Sequence, residues 1–211
     1  MVTQESAAID ANRIKQTLES LTGSKYVLKA REELIHQDHR SWYIHLPVGA
    51  AGYFRSVHES NGKVVFESPI LYDVYQEMEN RFSESKYVRL RKTLGDDVER
   101  LQDKSVREKY GKTIPMVFRF LDRMEEILSQ VNQEHGTNVF FTNEGGWITL
   151  KLEVSKREID RDESNIKRSI LAMKKAVQLI EDFHQEQRAK SIHMGEIRRM
   201  HREILGTSKP Q

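Results

Sequence analysis

Apolar residues in the last quarter of the chain recur at Ile166, Ile170, Met173, Val177 and Ile180, in alternating steps of four and three. That spacing is a heptad seam on one side of an α-helix. From Ser155 to Leu205 there is no proline and one glycine, Gly195, so one long C-terminal helix over 156–205 is predicted. Ser155-Lys-Arg-Glu158 reads as a capping box that launches it, with Asp160 and Asp162 near its positive end. Beyond Ile180 the stripe thins: Phe183, Met194, Ile197, Met200 and Ile204 stand among Gln, Arg and Lys. The distal part is expected to dock loosely or to meet a partner.

At the other end, Ala7, Ala11, Ile14, Leu18 and Leu21 share the face of a helix over about 4–22, and Gly23 supplies its stop. Strand patterns follow at Lys25–Lys29, Ser41–Leu46, Gly52–His58 and Lys63–Glu67. Asn61-Gly62 between the last two is a type I′ hairpin signal, since that turn needs positive φ at both positions. Ser68-Pro69 then reads as N-cap and N1 of a helix burying Ile70, Leu71, Val74, Tyr75, Met78 and Phe82. Tyr87, Val88 and Leu90 continue the helical pattern toward Gly95, and Asp96-Asp-Val-Glu99 is expected to cap a short helix running to about Tyr110. Thr113–His135 has the clearest helical pattern, with a seam at Val117, Leu121, Met124, Leu128 and Val131, Pro115 in the first turn and Gly136 as C′. A second hairpin joins Asn138–Thr142 to Trp147–Val154. In the later strand Ile148, Leu150, Leu152 and Val154 face the core, while Trp147, Thr149, Lys151 and Glu153 face solvent.

The pattern predicts an α+β protein: a mainly antiparallel sheet from two hairpin regions, packed against several helices. Its units are expected to be a core over 1–155, a long and partly free helix over 156–205 and a flexible tail over 206–211. With 211 residues the core needs no staples, and the cysteine count of zero removes disulfides, thiolate metal sites and thiol nucleophiles. No run approaches 18 apolar residues, and Met1–Asp10 lacks a basic n-region and an apolar h-region. A soluble, cytoplasmic protein with no membrane partner is the expectation.

Charge is nearly balanced, with 34 Lys and Arg against 32 Asp and Glu, but it drifts along the chain. Residues 1–80 carry a net −3, residues 81–155 a net +1 and residues 156–211 a net +4. The basic residues Lys86, Arg89, Arg91 and Lys92, together with Arg198, Arg199 and Arg202, are candidate nucleic-acid contacts, because neutralising phosphates is the sequence-independent part of such binding. Glu181, Asp182, Glu186, Glu196 and Glu203 interleave the C-terminal cations, the pattern of a solvated helix face.

Histidines His36, His39, His45 and His58 fall in the N-terminal sheet region. Pairing of the strands at 41–46 and 52–58 would let His45 and His58 converge as metal ligands or acid/base groups. Val48-Gly-Ala-Ala-Gly52 lacks the lysine and following helix of a phosphate-binding loop, so it reads as a strand connection. Glu32-Glu33, Asp96-Asp97 and Glu125-Glu126 are neighbours that point about 100° apart on a helix, and so form no acid/base pair by themselves.

No cofactor signature is present. The leading expectation is a non-enzymatic scaffold or adaptor that docks on a protein partner or self-associates through its C-terminal helix, with Met194, Ile197, Met200 and Ile204 as contact residues. The alternatives are a nucleic-acid-associated protein using the basic faces and a metal-dependent hydrolase using His45 and His58.

Overall fold

The computed structural model describes residues 4–30, 40–47, 55–162 and 164–206, and side chains for 11–29, 42–47, 55–70, 72–162 and 164–190. His36, His39 and the Val48–Gly52 connection lie outside the described residues, as do Glu32-Glu33 and residues 207–211.

Helix α1 (Gln4–Thr22) buries Ala11, Ile14 and Leu18. It ends at Gly23, whose φ of +73° lets its N–H reach Glu19 O at 2.9 Å. Strands β1 (Val27–Ala30), β2 (Arg40–His45), β3 (Ser56–Ser60) and β4 (Lys63–Asp73) form an antiparallel meander. The predicted turn joins β3 to β4 with Asn61 at φ +52° and Gly62 at φ +72°. Helices α2 (Val74–Glu79), α3 (Glu84–Leu94), α4 (Lys104–Tyr110) and α5 (Pro115–His135) follow, with a 3₁₀ segment (Gly95–Arg100) between α3 and α4. Strands β5 (Val139–Glu144) and β6 (Trp147–Ser155) then form a hairpin, and α6 (Lys156–Arg161) and α7 (Ser164–Gly206) close the chain. The strand order is β1-β2-β3-β4-β6-β5, every neighbouring pair antiparallel, so the fold is α+β as the pattern predicted.

Helices α1, α5 and α7 cover one face of the sheet, with α7 touching both other helices as well as β4 and β6. Ile166, Ile170, Met173, Val177 and Ile180 are at most 2% exposed, in the same core as Leu121, Met124 and Phe66. The proximal part of α7 is thus packed into the body. Lys174 Nζ strengthens this by donating to Leu21 O at the end of α1, 3.1 Å away.

Three expected boundaries are corrected. Ser68-Pro69 starts no helix: β4 runs on to Asp73, with Pro69 opposite Thr149 of β6. Glu67 accepts Arg55 N at 3.0 Å, so this set of β4 positions turns its backbone toward β3. Pro69, two residues on, falls where the described β3 ladder has ended and no N–H is required. Asp73 caps α2 instead, accepting Tyr75 N at 2.8 Å and Gln76 N at 3.3 Å. Secondly, Asp96–Glu99 lies within the 3₁₀ segment, and α4 begins only after Asp103. No side-chain cap bond forms at the start of this segment, and the Asp97 carboxylate is engaged by Lys109 Nζ (2.8 Å) and Tyr110 OH (3.0 Å). Thirdly, the capping box of Ser155 and Glu158 forms but launches only α6. Asp162 breaks the helix at φ −147°, ψ 107°, and accepts Ser164 N (2.9 Å) and Ser164 Oγ (2.6 Å) to start α7 afresh.

Side-chain amides hold the outer edge of the sheet. Asn132 of α5 accepts Val139 N at 2.6 Å on Oδ1 and donates Nδ2 to Val139 O at 2.8 Å. Gln102 Nε2 donates to Phe141 O at 2.9 Å.

Candidate partner-binding surfaces

The seam of α7 ends in an aromatic group. Phe120 of α5 stacks on Tyr72 of β4 at 3.7 Å between centroids and on Phe183 of α7 at 5.8 Å. His184 meets Tyr72 and Phe120 edge-on at 5.3 and 5.6 Å. Burial pushes the Tyr72 hydroxyl far above its ordinary range, with Glu77 and Asp73 adding to the shift and Arg81 opposing it. Burial also holds the His184 imidazole below its ordinary value, helped by Arg188 and opposed by Glu77. Glu181, one turn earlier, is raised by burial and by Asp182. Past this group every residue from Gln185 to Lys190 is exposed, while the backbone stays helical to Gly206. At 1.5 Å per residue the 22 residues after His184 extend about 33 Å. Met194, Ile197, Met200, Ile204, Arg198, Arg199 and Arg202 belong to this helix, and their side chains lie outside those described.

A second surface is α3. Its apolar positions are few: Leu94 is buried, and Tyr87 and Leu90 are half-buried against the core. Lys86, Arg89, Arg91 and Lys92 are all exposed. Lys86 Nζ sits 4.3 Å from the Phe82 ring centre. Arg91 lies 5.0 Å from the Tyr75 ring centre and donates Nη1 to Tyr87 OH at 3.2 Å. Among the described residues none of the four forms an ion pair with a carboxylate, whereas Arg81, Arg100, Arg107, Lys109 and Arg123 each do.

His45 and His58 occupy the face of the sheet away from the helices, opposite the core residues Ile44 and Val57. Tyr43 is opposite His58 and two residues from His45, so its ring lies between theirs, 5.4 Å from His45 and 6.1 Å from His58. His45 Nδ1 is bonded to Leu46 O at 2.9 Å. His58 Nδ1 lies 3.9 Å from Glu67, whose carboxylate accepts Ser56 Oγ at 2.9 Å and faces Lys151 Nζ at 3.5 Å. The Ser56 hydroxyl donates to the Glu67 carboxylate, so Ser56, His58, Glu67 and Lys151 form a cross-strand polar network. Lys151 is raised overall: burial, the largest effect, lowers it, but the Glu144 and Glu67 carboxylates outweigh that. Among the described residues no group of three or more His, Asp or Glu is arranged to hold a metal ion.

Sequence reasoning missed the Tyr72–Phe120–Phe183–His184 group because it draws on three elements distant in the chain. Its signal was Phe183-His184 directly after the seam. Trp147 is 51% exposed, the side that strand alternation assigned to it. No described helix is long and apolar enough to cross a membrane. The chain matches no family model, and neither a curated protein nor a solved structure shows significant similarity to it.

Proposed function

We propose that this chain is a non-enzymatic scaffold or adaptor whose α+β body grips the root of α7 and offers the remainder of the helix to a protein partner, a second copy being the first to test. The observation that carries this reading is the run of exposed residues from Gln185 to Lys190 in a helix that continues to Gly206. Most helical stability in proteins comes from packing of an apolar face, and a facing helix or groove would supply it to the distal part of α7. The distal sequence supports it as well: Met194, Ile197, Met200 and Ile204 recur at steps of three, three and four, a one-sided apolar pattern.

Light scattering on the full chain and on a form ending at Arg188 tests the proposal. The short form should keep its unfolding midpoint and be monomeric, while the full chain associates as concentration rises. Ile197→Glu with Met200→Glu should reproduce the loss at full length. A full chain that stays monomeric, with amides of 193–205 protected from exchange as strongly as those of 117–131, would place the segment in the core and end the adaptor reading.

A further inference from the structure

We propose that α3 and the β5–β6 turn form a binding surface for single-stranded nucleic acid, with phosphates meeting Lys86, Arg89, Arg91 and Lys92 and a base stacking on Trp147. The inference is independent of the role given to α7.

Four cations fall within seven residues, and none pairs with a carboxylate among the described residues, in a chain that holds 32 Asp and Glu. Glu84 in the first turn of α3, Asp96 just beyond its end and Asp73 beside Tyr75 leave the four cations in excess by one. Arg89 and Lys92 are three apart on the exposed side, close enough to repel each other, and a polyanion relieves that repulsion. Lys86 and Arg91 flank the buried side and rest on the rings of Phe82 and Tyr75. Their stems are already ordered, so holding a phosphate costs them less conformational freedom.

The aromatic part lies next to this patch. Gly146 backs onto Tyr75 so closely that a Cβ there would stand 2.7 Å from the ring, and Trp147 follows it. Arg91, Tyr75 and the turn bearing Trp147 are therefore one neighbourhood. Trp147 stands across from Asp73 and from Glu144, the latter paired with Lys151. Its exposed indole, on the turn that Tyr75 links to Arg91, suits a strand whose bases are free to stack, since every base offers a π-face and paired bases in a duplex do not. An anionic membrane fits less well: α3 exposes one large apolar residue, Val88, too little to enter the lipid interface.

The chain contains its own probe. Of its two tryptophans, Trp42 is 3% exposed, so quenching on binding reports Trp147. A thymidine 20-mer, the same length of duplex DNA, and phosphatidylcholine vesicles containing phosphatidylserine are titrated over a salt series. The expected result is quenching by the single strand, with affinity falling steeply as salt rises. Arg89→Glu with Lys92→Glu should weaken binding at least tenfold. Trp147→Ala loses the reporting indole and is therefore followed by the fluorescence anisotropy of a dye-labelled thymidine 20-mer, alongside the parent protein. It should weaken binding about fivefold with an unchanged salt slope, the size expected for one stacked base. Arg89→Gln with Lys92→Gln serves if the reversal disturbs the thermal unfolding profile. Absence of binding at low salt, equal affinity for the duplex without quenching, preference for vesicles, or full binding by the charge variants would each overturn the proposal.

Discussion

Tyr72 and Phe120 lie ring on ring, their planes 6° from parallel, and so bind the middle of the sheet to α5 at the point where α7 leaves the body. The two rings differ in chemistry, because the Tyr72 hydroxyl is buried with no hydrogen-bond partner among the described residues. Phe120→Ala should therefore cost about 3–5 kcal/mol in urea unfolding, the range for deleting a buried ring. Tyr72→Phe removes a hydroxyl whose burial without a partner costs about 1–3 kcal/mol, so it should leave stability unchanged or raise it. A loss above about 1 kcal/mol on Tyr72→Phe would show that the hydroxyl is bonded.

His184 gives the same region a pH dependence. Its folded-state value lies below the ordinary 6.5 through burial, so under acid conditions the unfolded chain binds the extra proton more readily. The contribution of His184 is complete above about pH 6.5 and declines as pH falls from there toward the folded value. His184→Phe keeps an aromatic ring and should flatten the difference in stability between pH 7.5 and pH 5.5. An identical slope in the variant and the parent protein would remove His184 as its source.

The root of α7 should behave as core in a mutation series. Leu121 of α5 and Met173 of α7 are each 0% exposed, and replacing either with Ala should cost about 2–5 kcal/mol. Denaturant midpoints at constant m-value provide the measurement. A loss below about 0.5 kcal/mol for Met173→Ala would mean that the body folds without α7.

The β5–β6 turn separates two effects of glycine. Gly145, at φ +60°, has open space where a Cβ would go, whereas Gly146, at φ +94°, would drive one into Tyr75. Gly146→Ala should destabilise the protein by about 1 kcal/mol or more and by more than Gly145→Ala, which adds only backbone strain. Equal losses would show that the Tyr75 ring moves aside freely.

Elements governed by neighbouring residues were legible in the sequence. Asn61-Gly62, the Gly23 and Gly136 stops, the alternation of β6 and the seam from Ile166 to Ile180 each depend on one helix face, strand face or turn, and each is present. The misread boundaries depend on distant partners. Ser68-Pro69 has the local chemistry of a helix start, but the β6 ladder extends the strand through it. Asp96-Asp-Val-Glu99 reads as a cap, but the folded chain runs it through a 3₁₀ segment and holds Asp97 to Lys109 and Tyr110. Ser155 and Glu158 form their box, yet Asp162 ends that helix within two turns. The surfaces follow the same division: the cations of α3 were visible as a cluster, while their lack of carboxylate partners among the described residues and the packing of the β5–β6 turn on Tyr75 required the folded chain.

The amides of Asn132 and Gln102 bear on how this molecule can assemble. β5 is the last strand on its side, and an edge strand ordinarily presents free N–H and C=O groups as a template for another chain. Here Val139 gives its N–H and C=O to Asn132, and the carbonyl of Phe141 accepts from Gln102. An incoming strand would have to displace two side chains to form a continuous ladder along β5, so strand addition there is disfavoured. Contacts through the helical layer meet no such competition on this side of the sheet, and, being set by side-chain fit, they do not propagate without limit as a sheet does.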